Sequence, residues 1–336
     1  MSDLIKSSFF ILAILFCVKL SGCGAPDNSP SERSKNESPK PPPSEDDANN
    51  GSSDGGKKPQ PSPTPSLDPN QKPPSAPPSG PGSSTSFDWR QHIKLDDVPT
   101  YSFAGNTFGS KIFKDIMEHT PSSQRFLTSG RSTQAHESQH GLVSIMRNAT
   151  REDDGFFYYE NGKGSYVVQP KKVMAKVKDY IGPKFRQEAK SRYDLYLVQQ
   201  ATSWPEVLYL FDEWNAYVAT SRSAIELVES GQWDNGNSDP FDGLADFLYF
   251  CSASIMALQE YDPQYLEKNT QFKATYAMLV EQSQKYIAEG TKLNLFKNSV
   301  SLRRLEMLKR DEESAKIRKT METYMGSEWF AQFMNR

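Results

Sequence analysis

From residue 87 to the C-terminus, apolar positions recur every three to four residues, the period of helices that bury one face. The spacing predicts helices near 108–118, 132–147, 171–180, 192–201, 205–229, 241–260, 263–288 and 298–325, with a short final turn around 329–333. Two stretches are apolar almost all round, VLYLFDEWNAYVA at 207–219 and the run 245–257, so both belong inside a core. One segment breaks the helical period. GFFYYENGKGSYVV at 155–168 carries aromatic and β-branched runs on either side of Asn161-Gly162, a dipeptide that accepts positive φ, and so predicts a tight hairpin. The expected class is mainly α (α+β): one helical domain over 87–336 with a small β-hairpin and no internal repeat.

The pattern upstream is different in kind. Lys6, an apolar run from Ser7 to Val18 and small residues after it have the layout of a secretory signal over 1–22. About twelve apolar residues are too few to span a bilayer, which needs about twenty. Leu20, Ser21, Gly22 and Cys23 match a bacterial lipobox. Resemblance to lipoproteins implies lipidation of Cys23 and cleavage just before it, hence a protein lipid-anchored in the bacterial cell envelope. By the same resemblance to lipoproteins, Gly24 rather than Asp after the cysteine implies an outer membrane where there are two. Residues 23–86 then run through Pro, Ser, Asp, Asn and Gly with almost nothing apolar, a composition that cannot pack a core and predicts a disordered Pro/Ser-rich linker.

Within the helical region the informative string is HESQH at 136–140, an H-E-x-x-H pattern on a predicted helix. Residues four apart stack on one helix face, so His136 and His140 can present two imidazole nitrogens to one Zn²⁺. Glu137 is left beside the metal, where it can take a proton from a water without being a ligand. A catalytic zinc wants a third protein ligand. The chain has four histidines, and the other two, His92 and His119, fall upstream in a loop and at a helix end. A carboxylate fits better, because carboxylates in apolar helices are costly unless paired or metal-bound. Glu213 is the first candidate and Asp246 the second; Asp212 suits the orienting of a ligating histidine through its other N–H.

HESQH followed by an acidic residue on a second helix is similar to the gluzincin zinc metallopeptidases, whose ligands are His, His and Glu. Over about residues 130–230, HESQHGLVSIMRN, YDLYLVQQ and LYLFDEWNAYVA resemble bacterial envelope proteins treated as metallopeptidases of unknown substrate. The resemblance implies a zincin-like domain with His136, His140 and Glu213 as ligands and Glu137 as base. Four residues beyond Glu213, where thermolysin-type enzymes carry an acid, stands Tyr217.

Charge and cysteine usage narrow the picture further. A formal net charge of −3 with mostly scattered basic residues argues against a nucleic-acid partner. With Cys17 lost in the signal and Cys23 acylated, Cys251 is the one thiol of the domain, in a run that reads as core. The expected chemistry is promoted-water hydrolysis of a peptide or amide bond in a peptide, a protein or peptidoglycan, with Tyr217 as oxyanion donor and Arg147 or Tyr196 as alternatives. The competing reading is a catalytically inactive, tethered binding module on the same fold.

Overall fold

The computed structural model describes residues 86–128, 130–149, 154–233 and 237–336. The expected signal, Cys23 and almost all of the proline-rich stretch lie outside them. The described residues belong to one compact unit, and within it the expected class holds: helices with one small sheet.

The eight longer helices are α1 (Lys111–His119), α2 (Arg131–Ala149), α3 (Leu208–Glu229), α4 (Asp239–Tyr261), α5 (Thr270–Gly290), α6 (Ser301–Arg310), α7 (Ala315–Met325) and α8 (Ser327–Asn335). α3 and α4 pair at the centre and are buried on nearly every face, as their all-round apolar character requires. α4 is long and apolar enough to cross a membrane, yet 89% of its apolar window is buried inside the protein, which marks it as a core helix. Phe211, Trp214, Phe247, Phe250 and Tyr276 fill the space around this pair. Cys251 is buried there too, and burial pushes its thiol well above the usual range, as suits a core residue.

The differences from the predicted elements have local causes. The stretch expected as one helix over 263–288 is two, Pro263–Lys268 and α5, because Asn269 leaves helical geometry and its side chain accepts from Phe272 N. Asp311 likewise separates α6 from α7 by accepting from Glu313 N. The final turn is a full helix, α8, started after Gly326 at φ 96°. Over 171–201 the chain winds through short turns rather than two helices: Met174–Val177, Pro183–Glu188, Lys190–Arg192 and a π-helical stretch, Tyr193–Gln199.

The hairpin forms as expected, with β2 (Gly155–Glu160) and β3 (Lys163–Val167) joined through Asn161 at φ 53° and Gly162 at φ 66°, two positive values in succession. A two-residue strand, β1 (Asp96–Asp97), adds to β3 and gives the order β1-β3-β2, all antiparallel. A second, smaller core of Ile116, Leu142, Val143, Phe156, Tyr158 and Ala219 fastens α1, α2, β2 and α3 to one another. It lies along the helix that carries HESQH.

That helix is also gripped from the other side. A Cβ on Gly141 would strike the backbone carbonyl of Gln124, so only glycine lets the 122–126 loop lie on α2. Gly141→Ala should therefore cost about 1–2 kcal/mol, overpacking against backbone outweighing the gain in helix propensity. Urea unfolding measures it, and a raised midpoint would show that the loop gives way.

Candidate metal centre

α2 and α3 pack so that His136, His140 and Glu213 converge, with one potential ligand atom from each lying within 4.8 Å of the others. Among the described residues this is the one such group of His, Cys, Asp or Glu that could hold a metal ion. His136 Nε2 and His140 Nε2 are 3.2 Å apart, and Glu213 Oε2 is 3.5 Å from the first and 3.6 Å from the second. Metal–ligand bonds of about 2.0–2.2 Å in a tetrahedral arrangement have edges of about 3.3–3.6 Å, so this triangle is close to one tetrahedral face.

The remaining ring nitrogens set the tautomers. Thr220 donates its hydroxyl proton to Ala216 O at 2.7 Å, so it can only accept from His136 Nδ1, 3.3 Å away. His140 Nδ1 donates to Asp212 Oδ2 at 3.2 Å, the orienting contact expected of Asp212. Both Nδ1 atoms thus carry protons and both Nε2 atoms face Glu213 Oε2. Such a set needs positive charge among its members, from a proton or a metal ion. Although burial opposes it, Asp212 and Glu213 hold the His140 imidazolium well above its usual range. Burial would raise Glu213, yet His140 and His136 keep it well below the ordinary carboxylate range.

Glu137 is 9% exposed, and its Oε2 has no hydrogen-bond partner among the described residues. That oxygen, one residue from His136 and three from His140 in the chain, is available to accept from a proton-bearing ligand. The two polar residues inside the motif are structural. Ser138 Oγ accepts from Phe126 N at 3.0 Å, and Gln139 Nε2 donates to Asn215 Oδ1 at 2.7 Å. Asn215 in turn takes both backbone groups of Tyr158, accepting from its N–H at 3.0 Å and donating to its carbonyl at 2.9 Å. The free edge of β2 is therefore occupied at Tyr158 by a side chain, and the hairpin there is a packed structural element rather than an open edge for an extended substrate.

The structure also separates the candidates for donor and third ligand. Tyr217 sits beside the cluster, its ring edge-on to that of His136 with centroids 4.7 Å apart. Its hydroxyl accepts from Arg192 Nε at 3.4 Å, and burial holds its phenol above the usual range. Gly243 leaves the space for this ring. Tyr196 is buried and donates to Glu213 Oε2 at 3.2 Å. Arg147 lies exposed in the last turn of α2, seven residues beyond His140 and so about 10 Å further along the helix. His119 ends α1, with Nδ1 bonded to Asp115 O at 2.7 Å, and His92 caps a turn while its ring stacks on Phe87.

Asp246 belongs to a different cluster. It is fully buried between Arg192 Nη1 at 3.0 Å and Arg304 Nη1 at 2.9 Å, and burial pushes its carboxyl up to about 6 against both arginines. Arg192 also pairs with Asp239. Asp246→Ala leaves two largely buried guanidinium groups short of a counterion, and the expected loss is about 3–5 kcal/mol. Chemical denaturation measures it; a loss below about 1 kcal/mol would mean that Asp239 and solvent compensate.

Sequence reasoning missed Thr220, Arg192 and the contact of Tyr196 with Glu213. Thr220 was within reach, because Glu213, Tyr217 and Thr220 are spaced i, i+4, i+7 and form one stripe of α3 facing α2. No family model, no curated protein and no solved structure matches the chain.

Proposed function

We propose that the protein is a zinc-dependent hydrolase, a metallopeptidase of gluzincin type, held on the bacterial envelope through lipidated Cys23. The convergence of His136 Nε2, His140 Nε2 and Glu213 Oε2 at near-tetrahedral edges carries this reading. Two imidazoles and one carboxylate are a donor set suited to zinc. The Nδ1 partners Asp212 and Thr220 have already turned the correct nitrogens inward.

A bound zinc ion would polarise a scissile carbonyl and lower the pKa of a water. The protein's own groups do the rest. Glu137, with its unpartnered buried Oε2, accepts the proton of the attacking water and delivers it to the leaving nitrogen. Tyr217 keeps its phenolic proton because burial raises its pKa, and it donates to the oxyanion as charge develops. The substrate is a peptide, a protein or the peptide part of peptidoglycan. Incubating the purified protein with an unfolded protein and with purified cell wall, with and without a zinc chelator, tests the reading. Chelator-sensitive release from either is expected. Release from neither by zinc-loaded protein would favour a tethered binding module.

A further inference from the structure

We propose that Tyr196 is a positioning residue that makes Glu213 a ligand through one oxygen, an inference that rests on the metal reading above. Glu213 Oε2 is the atom that faces both Nε2 atoms, and the Tyr196 hydroxyl donates to that same oxygen at 3.2 Å. A carboxylate oxygen has two lone pairs, so one can serve the phenol while the other points between the histidines. The hydrogen bond keeps Oε2 at the corner of the triangle and opposes rotation of the carboxylate to offer both oxygens.

The rest of the segment is arranged to hold the phenol there. Tyr196 lies in the π-helical stretch Tyr193–Gln199, where Gln200 N bonds Leu195 O five residues back at 3.0 Å. Such stretches are rare and persist where tertiary contacts hold them. Arg192, just before it, is fastened to Asp246 and bonds Tyr217, while Tyr196, four residues on, bonds Glu213, four residues before Tyr217. The two contacts are antiparallel rungs between this segment and α3. The Tyr196 ring is wedged edge-on to Phe247 at 4.8 Å and against Tyr209 at 6.1 Å, so the hydroxyl has little room to swing away.

Tyr196→Phe keeps the ring and removes the donor. In the purified protein, titrated with zinc against a chromophoric chelator, the variant should bind about 10- to 100-fold more weakly. Loaded with cobalt(II), it should show weaker and shifted visible bands as Glu213 turns to use both oxygens and coordination number rises. Tyr209→Phe, whose lost hydroxyl bonds Gln200 Oε1 at 2.9 Å, is the packing control and should change neither readout. If Tyr196→Phe does not fold, difluorotyrosine at 196 keeps the shape and alters donor strength, and the cobalt bands must move. Should the unaltered protein bind neither ion, the metal reading fails and takes this proposal with it. Should it bind both while Tyr196→Phe or the fluorinated protein is unchanged, the role of Tyr196 alone is overturned.

Discussion

Replacing His140 or Glu213 by alanine is expected to abolish the binding of about one zinc ion per chain that the proposed site predicts. Loss of an outer partner of a ligand typically costs 10–100-fold in affinity, so loss of a ligand should cost on the order of 10³-fold or more. The geometry predicts a graded series. Asp212→Asn weakens only the orientation of His140, through its 3.2 Å contact, and should fall in the 10–100-fold range. Asp246→Ala, which touches no ligand and acts only by loosening Arg192 and the segment that carries Tyr196, should weaken binding less than Asp212→Asn at temperatures where it stays folded. Elemental analysis and competitive titration measure the series. Equal zinc retention across all four variants would place the ion elsewhere or nowhere.

Glu137→Gln is expected to retain zinc and lose hydrolysis by about 10²–10⁴-fold, the usual contribution of a general base. The substitution keeps shape and takes away the ability to hold a proton. Its effect on stability separates chemistry from folding. Glu137 is buried with one oxygen unpartnered, and the isosteric amide fills the same space, so the unfolding midpoint should be unchanged or raised. Lower activity with equal or greater stability is the pattern of a residue kept for function at some cost to the fold. Full activity in the Gln variant would remove Glu137 from the mechanism.

Some of this protein was determined by local sequence alone. The stacking of His136 over His140 follows from their spacing on one helix, and the hairpin follows from Asn161-Gly162 between aromatic and β-branched runs, because both depend on neighbours a few residues away. The breaks at Asn269 and Asp311 were also local, yet masked by an apolar period that continues across them. Burial of the carboxylates was legible too, since α3 and α4 have no polar face on which to put them.

The sequence ranked Glu213 ahead of Asp246 as a ligand and gave Asp212 the orienting role, but it did not name the groups that each carboxylate would meet. Packing of α2 on α3 turns Glu213 toward both imidazoles and Asp212 toward one, while arginines 54 and 58 residues away in the chain claim Asp246. Tyr196 reaches Glu213 only because a π-helical turn is folded against α3 and α4. Periodicity and turn propensity arise from neighbouring residues and can be read along the chain; the identity of a charge's partner is settled by which helices meet, and at what register, when the core closes.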